Sequence, residues 1–178
     1  MIDAPDGFEL WVMDKDMGLV KKAYWYNAFE ELPAGWFDEL GENPESVDLA
    51  PGTGVLMSAG DNGIMMCQSG EVITDDITGL TINNGFTLFA NPYAVAIPLA
   101  NISMTNAPDG FELWVMDKDM GIVEKAYWYN AFEELPAGWF DELGETEVTG
   151  VSIATGKGVL FSAGDNGITA NIASPFKK

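Results

Sequence analysis

APDGFELWVMDKDMGLVKKAYWYNAFEELPAGWFDELGE, residues 4–42, returns at 107–145 with two changes, Leu19 to Ile122 and Lys21 to Glu124. Within it, FELWVMD (8–14) alternates Phe8, Leu10 and Val12 with Glu9, Trp11 and Met13, the period of two that sends successive side chains to opposite faces of a strand. AYWYNAF (23–29) has the aromatic content of a second strand. Further out, GVLMSAGDNGI (54–64) returns as GVLFSAGDNGI (158–168). This is an apolar strand running into Asp-Asn-Gly, whose Asn and Gly tolerate positive φ and close a hairpin. Only GWFDELG (35–41) reads as helical, a single turn from Trp36 to Leu40 closed by Gly41, with Pro33 preventing a longer helix.

The chain therefore has the order A–B–A′, with an unrepeated segment at 67–106 between the copies. That segment supplies EVIT, GLTI, GFTLFA and AVAIPLANISM, separated by Asp-Asp, Asn-Asn-Gly and Asn-Pro-Tyr turn signals. Short strands punctuated by Gly and Pro turns predict an all-β fold of tandem antiparallel β-sandwich or barrel-like repeat units with short helical turns. Residues 1–68 form the first unit, apparently lacking its opening strands, and 69–178 the second, which includes the central β segment 69–106. The identity extends to surface-type positions that no fold constrains, which points to a recent duplication or to pressure for interchangeable units.

Composition narrows the function. The 178 residues include 28 acidic side chains, 8 lysines, no arginine and no histidine, for a net charge of -20. Without histidine there is no imidazole base and no His-ligated zinc, and without arginine no bidentate fork for phosphate. The surrounding field repels nucleic acid and anionic lipid alike. With 47% hydrophobic and 12% aromatic residues, the chain is too apolar for an acidic disordered tail. The charge lies in the copies: 1–66, 67–106 and 107–178 carry -10, -3 and -7. Cys67 has no partner cysteine and reads as a small buried hydrophobe. No apolar run is long enough for a transmembrane helix, so no membrane insertion is expected. MIDAPDG has neither the basic start nor the apolar stretch of a signal peptide, so any leader is absent from this sequence.

Two motifs offer sites. In DKDMG, Asp14 and Asp16, and again Asp117 and Asp119, stand two residues apart on one side of an extended segment, the arrangement that chelates a hard cation such as calcium through oxygen. The spacing is not that of an EF-hand, and the competing reading is an acidic turn ending a strand. Asp6, Glu9 and Asp61 are further candidate ligands. The aromatics Trp25, Tyr26 and Trp36, with Trp128, Tyr129 and Trp139, lie among carboxylates and amides in the way that stacks and hydrogen-bonds sugar rings, so polysaccharide is a possible ligand. Against this stands the core that any small β-domain must build from large apolar side chains. Glu30–Glu31 and Asp38–Glu39 are solvated pairs rather than a glycosidase acid and base, and no enzyme is expected.

Residues GFTLFANPYAVAIPLANISM (85–104), followed by GFELWVMD, GWFDELG and GKGVLFSAGDNG, with SGEV at 69–72, resemble tandem β-rich repeat domains of large secreted or cell-surface bacterial proteins. The resemblance covers 69–170 as one full repeat and 4–68 as a repeat without its opening. It implies an extracellular or cell-surface location and a building-block role, and brings no catalytic or ligand residues. A copy without its opening strands exposes ladder groups, and three arrangements answer this: both copies share the central segment in one pseudo-symmetric domain, the repeated unit is self-sufficient with that segment as a bridge, or the first copy takes strands from a neighbouring molecule. The expected function is a non-enzymatic structural subunit that self-associates through its repeats, with strand addition giving a homopolymer or filament. The alternative is a carbohydrate-binding module using exposed Trp and Tyr.

Overall fold

The computed structural model describes residues 4–14, 16–29, 32–58, 71–117, 119, 121–132, 135–163 and 167–177. Cys67, Asp61, the Asp61-Asn62-Gly63 turn and the Glu30–Glu31 pair lie outside them. The fold is all-β, in antiparallel sheets of which none, among the described residues, closes into a barrel. Two compact units are present, Met1–Pro51 with Val55–Glu71 and Gly52–Gly54 with Val72–Lys178.

The first unit is one sheet in the order β3-β2-β1-β4, from β1 (Phe8–Met13), β2 (Leu19–Tyr26), β3 (Gly35–Phe37) and β4 (Leu56–Ser58). Phe8 opposes Trp25, Leu10 opposes Ala23 and Trp25 opposes Trp36, so these five side chains share a face. Phe8, Leu10 and Ala23 are buried, and the two tryptophans half-buried. Tyr24 and Tyr26 alternate with Trp25, and Phe37 with Trp36, onto the other face.

The second unit contains β5 (Ile77–Ile82), β6 (Gly85–Ala90), β7 (Ile97–Pro98), a 3-10 turn (Leu99–Asn101), β8 (Ile102–Thr105), β9 (Phe111–Met116), β10 (Ile122–Tyr129), β11 (Gly138–Phe140), β12 (Ser152–Ile153), β13 (Gly158–Ala163) and β14 (Ile168–Ile172). Its main sheet runs β11-β10-β9-β13-β6, a second runs β5-β14-β8, and β7 pairs with β12. The core gathers Phe111, Leu113, Trp128, Trp139 and Phe161 from the main sheet with Ile82, Ile102, Met104, Ile168 and Ile172 from the three-stranded one. Asn91 and Tyr93 of the Asn-Pro-Tyr turn are buried. The Asn91 amide donates to the carbonyls of Val95 and Ile153 at 2.9 and 2.8 Å, and the Tyr93 hydroxyl to that of Asp75 at 2.8 Å. Both are structural.

Four strands of the main sheet repeat the first sheet. Glu9, Leu10 and Trp11 face Ser58, Met57 and Leu56 of β4, while Glu112, Leu113 and Trp114 face Ser162, Phe161 and Leu160 of β13. On its far side β13 carries β6 over six register pairs, Gly158–Ala90 to Ala163–Gly85. The far edge of β6 takes Gly52–Gly54, through Gly54 N–H to the Leu88 carbonyl and Ala90 N–H to the Gly52 carbonyl, both 3.0 Å. Glycine is required at 54, because a Cβ there would lie 2.4 Å from Leu88 Cγ and 2.8 Å from the Leu88 carbonyl carbon.

Three local expectations are corrected. GWFDELG forms no helix: Trp36 and Phe37 are strand residues paired with Trp25 and Tyr24, and only a tight turn follows, Gly41 N–H reaching the Asp38 carbonyl at 3.0 Å. The ladder to β2 supplies more partners than one helical turn offers. β2 ends at Tyr26, so Asn27–Phe29 leave the sheet. EVIT (71–74) is not a strand: pairing begins at Ile77, while Ile73 packs against the core without a ladder partner.

Candidate functional site

DKDMG folds as a turn organised by its first carboxylate. Asp14 Oδ1 accepts the backbone N–H groups of Asp16 (2.9 Å) and Gly18 (2.7 Å), and Asp117 Oδ1 those of Asp119 (2.9 Å) and Gly121 (2.8 Å). Met17 takes φ 60, and a Cβ on Gly18 would meet the Asp14 carboxylate at 2.9 Å. One oxygen of each leading aspartate is thus occupied by its own turn. Among the described residues no group of three or more acidic or cysteine side chains gathers around a common point. Asp6 is likewise engaged, its Oδ1 accepting the backbone N–H of Asn27 at 2.7 Å and the Asn27 amide at 2.9 Å.

Glu9 receives the Trp11 indole N–H and the Lys22 ammonium at 3.2 Å, and the ammonium sits 4.7 Å from the Trp11 ring centroid. The second copy repeats this with Glu112, Trp114 and Lys125, the ion pair at 2.9 Å. Burial raises the Glu112 pKa, but the Lys125 and Trp114 hydrogen bonds outweigh it and hold the group below the usual range. In each cluster one carboxylate oxygen accepts from both the indole and the ammonium.

The tryptophans separate the copies. Trp128 and Trp139 are 4% and 3% exposed within the second core, and the Trp139 indole N–H donates to the Ile102 carbonyl at 2.8 Å. Neither offers a free face to a sugar ring. A cavity of about 120 Å³ touches their edges, with Ser103, Glu147 and Val148 in its wall; ligand pockets run from about 300 Å³. Trp25 and Trp36 keep the same edge-on contact as their counterparts, centroids 5.6 Å apart against 5.5 Å, yet stay half-buried. Tyr26 and Tyr129 are tied down, their hydroxyls donating to the carbonyls of Glu39 and Glu142 at 2.8 Å.

The Lys21-to-Glu124 change belongs to this contrast. In the first copy the Lys21 ammonium lies 2.7 Å from Glu45 and 2.7 Å from the Ser46 carbonyl. The residue matching Glu45 in the second copy is Val148, packed against the core. Each has the same backbone bond, Glu45 N–H to Trp36 and Val148 N–H to Trp139. Where the tryptophans are buried the rim is apolar, and where they are half-buried it is an ion pair.

Sequence reasoning missed a further feature, the apolar turns. Phe29 and Leu32 form an isolated bridge, as do Phe132 and Leu135, with all four side chains exposed. The signal was present in the word-for-word repetition of NAFEELPAG, but Phe29 was read as part of a strand.

The chain matches no protein-family model, no curated protein and no solved structure. The class that fold and site define is an all-β protein of several antiparallel sheets with a duplicated strand-turn pattern.

Proposed function

We propose that this protein is a non-enzymatic structural subunit of an extracellular or cell-surface assembly, self-associating through its repeat units by strand addition. The second unit reads as a β-sandwich, and the first repeats the strand order of four strands of its main sheet. One observation carries this reading: β4 keeps against β1 the register that β13 keeps against β9, yet among the described residues β4 has no strand on the edge where β13 carries β6. An open edge in that register is a template for a strand from another molecule, and such a contact is heterologous and propagates. Sedimentation of the full chain over a concentration series, with negative-stain imaging, tests it. Assemblies are expected to grow with concentration and with added salt, which screens the repulsion between chains of charge -20. A compact monomer at high concentration, with calcium present, removes the reading.

A second reading, carbohydrate binding, is favoured by the half-buried Trp25 and Trp36 beside the Lys21–Glu45 pair. It requires a tryptophan fluorescence change on titration with polysaccharides that is lost in Trp36→Ala.

A further inference from the structure

The large apolar side chains left most exposed are the same in both copies. Leu40 and Leu143 are each 75% exposed, and Phe29 and Phe132 each 71%. Leu32 and Leu135 stand beside the phenylalanines at 46% and 56%. In each turn the backbone is paired: Phe29 N–H donates to the Leu32 carbonyl at 3.1 Å and Leu32 N–H to the Phe29 carbonyl at 3.0 Å, with 3.1 and 2.9 Å for Phe132 and Leu135. Directly opposed residues of an antiparallel pair project to the same side, so phenylalanine and leucine form one preorganised apolar tip. The leucine turn is fastened to the same strand end, because Tyr26 and Tyr129 close β2 and β10 and bind the residues preceding Leu40 and Leu143.

Folding gains little from these side chains, yet in each copy the phenylalanine and leucine are bridged through their backbones. Clustered exposed apolar residues rimmed by polar ones mark surfaces that meet a partner. The charge of the chain selects it: 28 acidic side chains stand against 8 lysines, and each copy of NAFEELPAG, the stretch that carries the tip, contains two glutamates and no lysine.

We propose that each Phe–Leu tip docks a cationic polypeptide, whose apolar side chains cover the tip and whose basic groups meet the carboxylates of this acidic chain. A second copy of this chain does not suit the site, since it brings 28 acids against 8 lysines. Anionic lipid is repelled for the same reason. The inference is independent of strand addition, which uses β4 rather than the turns.

The test uses the full chain and a synthetic amphipathic leucine–lysine peptide, with polylysine as a charge-only control and uncharged phosphatidylcholine vesicles as a lipid control. Two peptides are expected per chain, with affinity falling as salt rises. Phe29→Ser with Leu32→Ser, or Phe132→Ser with Leu135→Ser, should leave one site. All four substitutions together should weaken binding at least about tenfold. All four side chains are exposed, so circular dichroism should stay unchanged; Leu40→Ser with Leu143→Ser gives an independent variant set. Undiminished binding by the fourfold variant, polylysine binding as tightly as the amphipathic peptide, or preference for the vesicles would overturn the proposal.

Discussion

Trp139 donates its indole N–H to the backbone carbonyl of Ile102 across 2.8 Å, both residues buried in the second unit. Trp36 occupies the same place in the first sheet, half-buried. Trp139→Phe leaves a buried carbonyl without a donor, a loss of about 1–3 kcal/mol. Among the described residues no hydrogen-bond partner of the Trp36 indole is seen, so Trp36→Phe should cost about 0.5 kcal/mol. Denaturant unfolding of the two variants measures the difference, and equal losses would contradict the assigned environments.

Gly54 is pressed against Leu88, with 2.4 Å between an added Cβ and Leu88 Cγ. Gly54→Ala should destabilise by about 1–3 kcal/mol through overpacking. Gly150, whose Cβ would meet nothing within 4 Å, should accept alanine within about 0.5 kcal/mol. Thermal melts of both decide the point, with parity between them the adverse result.

The aspartates leading the DKDMG turns separate turn-forming from metal-binding roles. Asparagine keeps the oxygen that accepts the two turn N–H groups, so Asp14→Asn should preserve stability while Asp14→Ala costs about 0.5–1.5 kcal/mol. If calcium held these turns, chelator would lower the melting temperature and Asp14→Asn would abolish that response.

Lys21 and Glu124 test the rim of the tryptophan face. Lys21→Glu sets a carboxylate beside Glu45 and should cost up to about 1 kcal/mol, since the pair is partly exposed. Adding Glu45→Lys should recover the loss, because it rebuilds the pair in reverse. A double-mutant cycle with no coupling would discard the ion pair as the reason for the change.

Three carboxylates should respond together to acid. Asp38 is held below the usual range by the Asn43 side chain and the Glu42 N–H, Asp76 by the Ser174 N–H and then Lys177, and Asp141 by the Glu145 N–H and then Thr146. A carboxylate lowered in the folded state stabilises above its unfolded value, and that contribution disappears as the pH falls through the folded value. Amide protection at Ser174 and Glu145 should therefore hold at neutral pH and fade below about pH 4. Carboxyl titration by NMR at or above the ordinary aspartate value would contradict these contacts.

The strands of the repeat were readable because alternation along FELWVM is a local property. GVLFSA and GFTLFA were readable as short apolar runs between turn residues, and they form β13 and β6. GWFDELG misled, since its helical pattern competes with a ladder to β2 that no local window contains. EVIT misled for the opposite reason: strand-forming residues lie at 71–74, but among the described residues no strand pairs with them. The metal and sugar candidates were chosen by residue type, and their roles depend on neighbours far along the chain.

Sequence alone determined the β class, the duplication and the sharing of charge among the three segments, because periodicity, repetition and composition are carried by the residues themselves. Tertiary structure decided which tryptophans are covered. Trp25 and Trp128 stand in identical stretches, AYWYNAF, yet one is half-buried and the other is core. Burial is a property of what packs against a side chain, and the three-stranded sheet over Trp128 comes from residues outside the repeated stretch.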